Sequence, residues 1–280
     1  MATTLFRRHD AASHAAYQEL KQLARTQRRI LSGTPGTLKQ RTQSGRRYWV
    51  REHIRVDGRK VDEYLGAEAA LDAARVDAAR AEVELARALA AGSAKLRLLG
   101  FQRIERKPAA VLEVFFNRGL LQADLVPVSS HAFGALLNEL GVRVPGSETE
   151  DIEVAGHPGV GAQTIPLLDF LIKEPIDGVV LSPNQVVPVG LPAPERFVLH
   201  KLFSSQSRKS DRDKIAKDLD QAAVLAAALE EQTPELLQDT FRRMPASGKE
   251  RVRRGARAAA RKIEGRHAQG EAALHKIGRQ

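Results

Sequence analysis

Asp151 and Glu153 stand two residues apart in Thr149-Glu150-Asp151-Ile152-Glu153, and alternate residues of a strand project to one face. Their carboxylates would sit side by side, as a hard divalent cation requires of its oxygen ligands. Upstream, Ser129-Ser130-His131-Ala132-Phe133 reads as a small-residue turn that leads into a helix. Such a turn aims backbone N–H groups and hydroxyls at an anion. The chemistry suggested is a nucleotide phosphate on the turn opposite a metal on the acidic pair. The plain alternative for the pair is a solvated strand face.

The elements that must position these groups follow from periodicity. Segments 125–129, 151–155, 178–181 and 186–189 read as short strands, with helices over 131–140 and 165–173 between them. A helix over 108–117 begins with proline in its first turn and stops at Arg118-Gly119. Its face of Val111, Leu112, Phe115 and Phe116 needs a sheet to cover it. The class expected is α+β with a small mixed sheet, and its core spans 107–190. Residues 191–245 read as a helical region, and the Gly, Ala and Arg content of 246–280 reads as a frayed basic tail.

Toward the start, 11–31 has the pattern of a basic amphipathic helix, broken by Gly33-Thr34-Pro35-Gly36. Segments 46–56 and 59–65 pair as a hairpin about Asp57-Gly58, so 1–66 is a basic helix and β-hairpin module. Tyr48 and Trp49 with their basic neighbours read either as stacking rings and cations for a nucleic-acid backbone or, with Tyr64, as the hydrophobic side of a hairpin packed on the next helix. Packing is the expectation for the rings, and the role of the arginines is left undecided. The connector over 67–106 is mainly one Ala-rich helix laced with i,i+3 and i,i+4 charge pairs, either a spacer or half of a helical pair.

The chain of 280 residues has no cysteine, which excludes disulfides, zinc–thiolate sites and thiol catalysis. No signal peptide or membrane-length apolar run is evident, so a cytoplasmic, bacterial protein without membrane association is expected. The net charge of +10 is segregated. Residues 1–65 carry 14 basic against 6 acidic side chains, and 241–280 carry 12 against 3, which leaves the middle at −7. Two basic ends around an acidic body suit a nucleic-acid partner, or else simply keep the protein soluble.

Five segments in order carry a resemblance. They are Gly33-Thr-Pro-Gly36 followed by Ser44-Gly-Arg-Arg-Tyr-Trp49; Ser130-His-Ala-Phe133 with Leu140-Gly-Val142; Thr149-x-Asp151-x-Glu153; Arg196-Phe197-x-x-His200-Lys201-Leu202; and Lys217-Asp218-Leu219-x-Gln221-Ala222. In these the chain resembles a bacterial nucleotidyltransferase-like family of the DNA polymerase β superfamily, as a shortened member. The resemblance implies Mg²⁺- or Mn²⁺-dependent transfer of a nucleoside monophosphate from an NTP to an acceptor. It makes Asp151 and Glu153 the metal ligands and catalytic carboxylates, and it puts Ser129 and Ser130 at the phosphate turn. Lys201, Arg208, Lys214 and Lys217 would neutralise triphosphate charge. Three departures accompany it: Ser129 replaces the usual glycine, Glu153 replaces the commoner Asp, and no third carboxylate is evident. Asp169 lies in a helical pattern and Asp177 precedes a glycine at a turn. The alternative is a catalytically inactive relative that binds nucleic acid or a protein partner.

Overall fold

The computed structural model describes residues 4–123, 125–128, 130–144, 154–155, 166–208 and 211–280. The expectations that fall on Ser129, Thr149, Asp151 and Glu153 lie outside these residues.

A short strand β1 (Arg7–Arg8) leads into α1 (Ala11–Arg25). The Asp10 carboxylate caps the helix by accepting the Ser13 N–H at 2.7 Å. Then follow β2 (Thr37–Gln43), β3 (Arg46–Ile54) and β4 (Lys60–Ala67), an antiparallel sheet in the order β2-β3-β4. The expected hairpin thus gains a third strand, which Thr-Leu-Lys-Gln-Arg-Thr-Gln conceals because it offers one apolar residue only.

The loop between α1 and β2 lies directly on β3. A Cβ at Gly33 would stand 2.2 Å from the Ile54 carbonyl oxygen, and one at Gly36 would stand 2.4 Å from that of Glu52. Both glycines have positive φ, +73° and +74°, so the close approach and the turn require the same residue type. Arg51 fastens the loop from beneath. Its side chain is 1% exposed and donates to the carbonyls of Ser32, Thr34 and Pro35, while Nε meets Glu63 Oε2 at 2.6 Å. The long helix α2 (Ala73–Leu98) packs on α1 and against β2, so it belongs to a helical pair.

The central layer comprises α3 (Arg106–Asn117), β5 (Val126–Pro127), α4 (Ser130–Glu139), β6 (Val142–Arg143), β7 (Val154–Ala155), α5 (Leu168–Ile172), β8 (Ile176–Leu181) and β9 (Val186–Leu191). The α+β class agrees with expectation. Among the described residues every strand pair is antiparallel: β1 with β6, β5 with β7, β8 with β9. The β8–β9 hairpin is buried on both faces. Val179, Leu181 and Val186 meet Tyr17, Leu20, Leu89 and Leu96 of the α1–α2 pair. Val180, Val187, Val189 and Leu191 join the main core with α3, α4 and the later helices. Double burial explains the unbroken apolar runs of these strands.

The C-terminal region is a bundle of α6 (Pro194–Ser207), α7 (Arg212–Gln232), α8 (Leu236–Arg243), α9 (Ala246–Ile263) and α10 (Ala268–Arg279). The frayed tail expected over 246–280 is overturned, because Val252, Ala256, Ala259, Ala260, Ile263, Leu274 and Ile277 are fully buried. Alanine at helical spacing makes a weak hydrophobic signal but a close-packing surface, and the basic residues occupy the outer side. The two ends of the described chain meet: the Leu5 N–H donates to His267 Nε2 at 3.1 Å, and Phe6 stacks on that imidazole at 4.7 Å. Among the described residues no helix is long and apolar enough to cross a membrane.

Candidate functional site

Ser130 opens α4 beside a small cleft open to solvent, which is also lined by Arg103, His131, Asn138 and Leu181. The segment that bears Arg103 is clamped on both sides. Asn138 accepts the Gln102 N–H through Oδ1 at 2.8 Å and donates through Nδ2 to the Gln102 carbonyl at 2.9 Å. The Ile104 N–H donates to the Leu181 carbonyl at 2.9 Å. Arg103 is thereby fixed in the cleft wall with a buried Nε that has no acceptor among the described residues. Burial first, and then the charges of Arg97 and Arg106, depress its pKa below the ordinary guanidinium value. Cations dominate its surroundings, so the cleft suits an anion. The sequence reading missed Arg103. Its signal was the cluster Arg97, Arg103, Arg106 and Lys107 with Glu105 alone among them.

From the other side, α7 reaches the same turn. Gln221 donates through Nε2 to Ser130 Oγ at 3.4 Å, and its Oε1 is buried without a donor among the described residues. One turn earlier on α7, the Asp218 carboxylate is 5% exposed. It accepts from Lys201 Nζ at 2.8 Å and from Arg208 Nε at 3.0 Å. Lys201 also lies 5.3 Å over the Phe197 ring. Of the four cations nominated for a triphosphate, Lys201 and Arg208 are thus brought together on a single carboxylate. Lys214 pairs with Asp211 at the start of α7, and Lys217 is exposed on that helix.

His200 is a buried imidazole on α6. A carbonyl can only accept, so its contact at 3.3 Å with the Pro166 oxygen places the proton on Nε2. Burial, reinforced by Lys201, pulls its pKa to about 4. Asp169 is exposed on α5. Asp177 lies within β8, not at a turn, and pairs with Arg25 at 2.8 Å. Among the described residues no group of three or more His, Asp or Glu is arranged to hold a metal ion. Asp151 and Glu153, the expected metal ligands, lie outside the described residues.

These features define an α+β protein in which an anion-suited cleft adjoins a helical bundle. Residues 146–245, just over a third of the chain, match the family model described as Nucleotidyltransferase. The match takes in Asp151, Glu153, Lys201, Arg208, Lys214, Lys217 and Asp218, and it supports nucleotidyl transfer as the activity class. Neither a curated protein nor a solved structure matches the chain.

Proposed function

We propose that this protein transfers a nucleoside monophosphate from an NTP to an acceptor hydroxyl, and that the cleft between Arg103 and Ser130 receives the triphosphate. The observation that carries the reading is the nucleotidyltransferase match over the acidic pair and over α7, whose Gln221 meets Ser130 at the edge of this cleft. In the reaction the acceptor oxygen gives up its proton to solvent and forms a bond to the α-phosphorus, the bond to the bridging oxygen breaks, and pyrophosphate leaves. Arg103 supplies charge and N–H donors to the phosphates, and the Ser129-Ser130 turn supplies backbone and hydroxyl donors. Lys201 and Arg208, steadied by Asp218, contribute one net positive charge nearby. Asp151 and Glu153 are the carboxylates that would hold Mg²⁺ or Mn²⁺, which when bound offsets the triphosphate charge.

Calorimetric titration with NTPs and Mg²⁺ or Mn²⁺ tests this on the wild type, Asp151→Ala and Arg103→Gln. The reading expects metal-dependent binding, loss of the metal dependence in Asp151→Ala, and affinity about tenfold weaker in Arg103→Gln, as for a lost charge-assisted hydrogen bond. Absence of NTP binding with either metal refutes it. That result would favour an inactive relative that binds nucleic acid or a partner, which agrees with the engagement of Lys201 and Arg208 by Asp218.

A further inference from the structure

The sheet β2-β3-β4 has one covered face and one open face. Successive strand residues point to opposite sides, so Tyr48 and Trp49 part company. Trp49 turns toward α2 and shares a small cavity with Leu38, Leu71 and Val76. Tyr48 and Tyr64 lie on the other side with ring centroids 5.7 Å apart, and Tyr64 is 62% exposed. The expected packing of all three rings is thus realised by Trp49, while the two tyrosines stay on the side away from the helix.

Around these tyrosines the open face is basic. Glu52 gathers three cations: Lys39 at 2.6 Å, Arg41 at 2.9 Å and Lys60 at 3.1 Å. Arg41 also reaches Asp62 at 3.1 Å, so two carboxylates hold three cations in place and leave a surplus. Arg46 at one end of β3 and Arg55 and Arg59 at the hairpin beyond its other end are exposed, with no carboxylate partner among the described residues. Over residues 37–67, the sheet with its two turns, eight basic residues stand against four acidic ones. Nine residues of β3 span roughly 26 Å, comparable with the shortest single-strand sites of about four nucleotides.

We infer that this open face binds single-stranded nucleic acid, with bases stacked on Tyr48 and Tyr64 and phosphates along the arginine and lysine side chains. Exposed rings with rigid backing accept any unpaired base, whereas a duplex hides its base faces. The fixed cations favour a polyanion over a neutral or basic partner. The inference concerns binding alone and stands apart from the transfer chemistry at the Arg103 cleft.

Fluorescence anisotropy of the full chain with a labelled oligonucleotide, single-stranded and as its duplex, tests it. The single strand, DNA or RNA, is expected to bind at least tenfold tighter than the duplex. Tyr64→Ala is expected to weaken single-strand binding about tenfold. Tyr64→Phe retains the ring and should bind as wild type. Arg46→Gln combined with Arg59→Gln should flatten the slope of log K against log salt by about 1.4. Because Tyr64 is exposed, an unchanged melting temperature separates this loss from unfolding. Asp151→Ala should bind the oligonucleotide normally, so a failed transfer reading and a failed binding reading remain distinct. Duplex binding as tight as single-strand binding, or wild-type affinity in Tyr64→Ala, would overturn the inference.

Discussion

His200 should give this protein an acid-sensitive stability that sets in well above the carboxylate range. The imidazole is buried in α6 beside Lys201, and its pKa is about 4 in the fold, against 6.5 for the free side chain. The unfolded chain takes up a proton as pH falls through 6.5, while the folded chain does not until about pH 4. Stability is therefore full above pH 6.5 and declines over the interval between the two values. At the steepest the loss is about 1.4 kcal/mol per pH unit, and from pH 7 to 4.5 it is on the order of 2 kcal/mol. Urea unfolding at half-unit intervals measures it, and the difference between wild type and His200→Gln isolates this residue from His9 and His53, whose pKa values burial also lowers. If His200→Gln loses stability over that interval as steeply as wild type, the burial argument for His200 is wrong.

Arg51→Met should cost about 3 kcal/mol in the same unfolding experiment. Thr34 and Pro35 are partly buried and lose a charged donor, whereas water can replace the bonds to exposed Ser32 and to Glu63. Gly36→Ala should cost a similar amount, about 3 kcal/mol, because positive φ and overlap with the Glu52 carbonyl oppose the methyl together; a change below about 1 kcal/mol would show that the loop gives way. Leu274→Ala should lose about 2–5 kcal/mol, and a variant of unchanged melting temperature would mean that α10 does not contribute to the core.

Much of the architecture was legible because its signals are local. The strands β8 and β9 are apolar runs with few alternatives, and α3 carries proline at its start and Arg118-Gly119 at its end. What the pattern could not convey depends on partners distant in sequence. The strand β2 is polar on both faces and is recruited by pairing with β3, while α9 and α10 bury alanines whose hydrophobic signal is small. At the site, Lys201 and Arg208 were chosen for charge, yet their shared carboxylate Asp218 comes from a separate helix. Arg103 lies outside the family-matched segment and is brought to Ser130 by the Asn138 clamp. Electrostatic roles are settled by tertiary neighbours, which residue type does not disclose.

The joining of Leu5 and Phe6 to His267 bears on how the molecule is made. The two halves of that contact are 262 positions apart. At typical ribosomal speeds of about 5–20 residues per second, roughly 13–50 s pass between the synthesis of the first half and that of the second. Throughout that time the Phe6 ring lacks the imidazole on which it stacks, although β1 gains its partner β6 about halfway through synthesis. Completion of this contact therefore waits for the start of α10, and products that terminate before α10 would expose to chaperones and proteases the apolar faces of α7 and α9 that this helix covers.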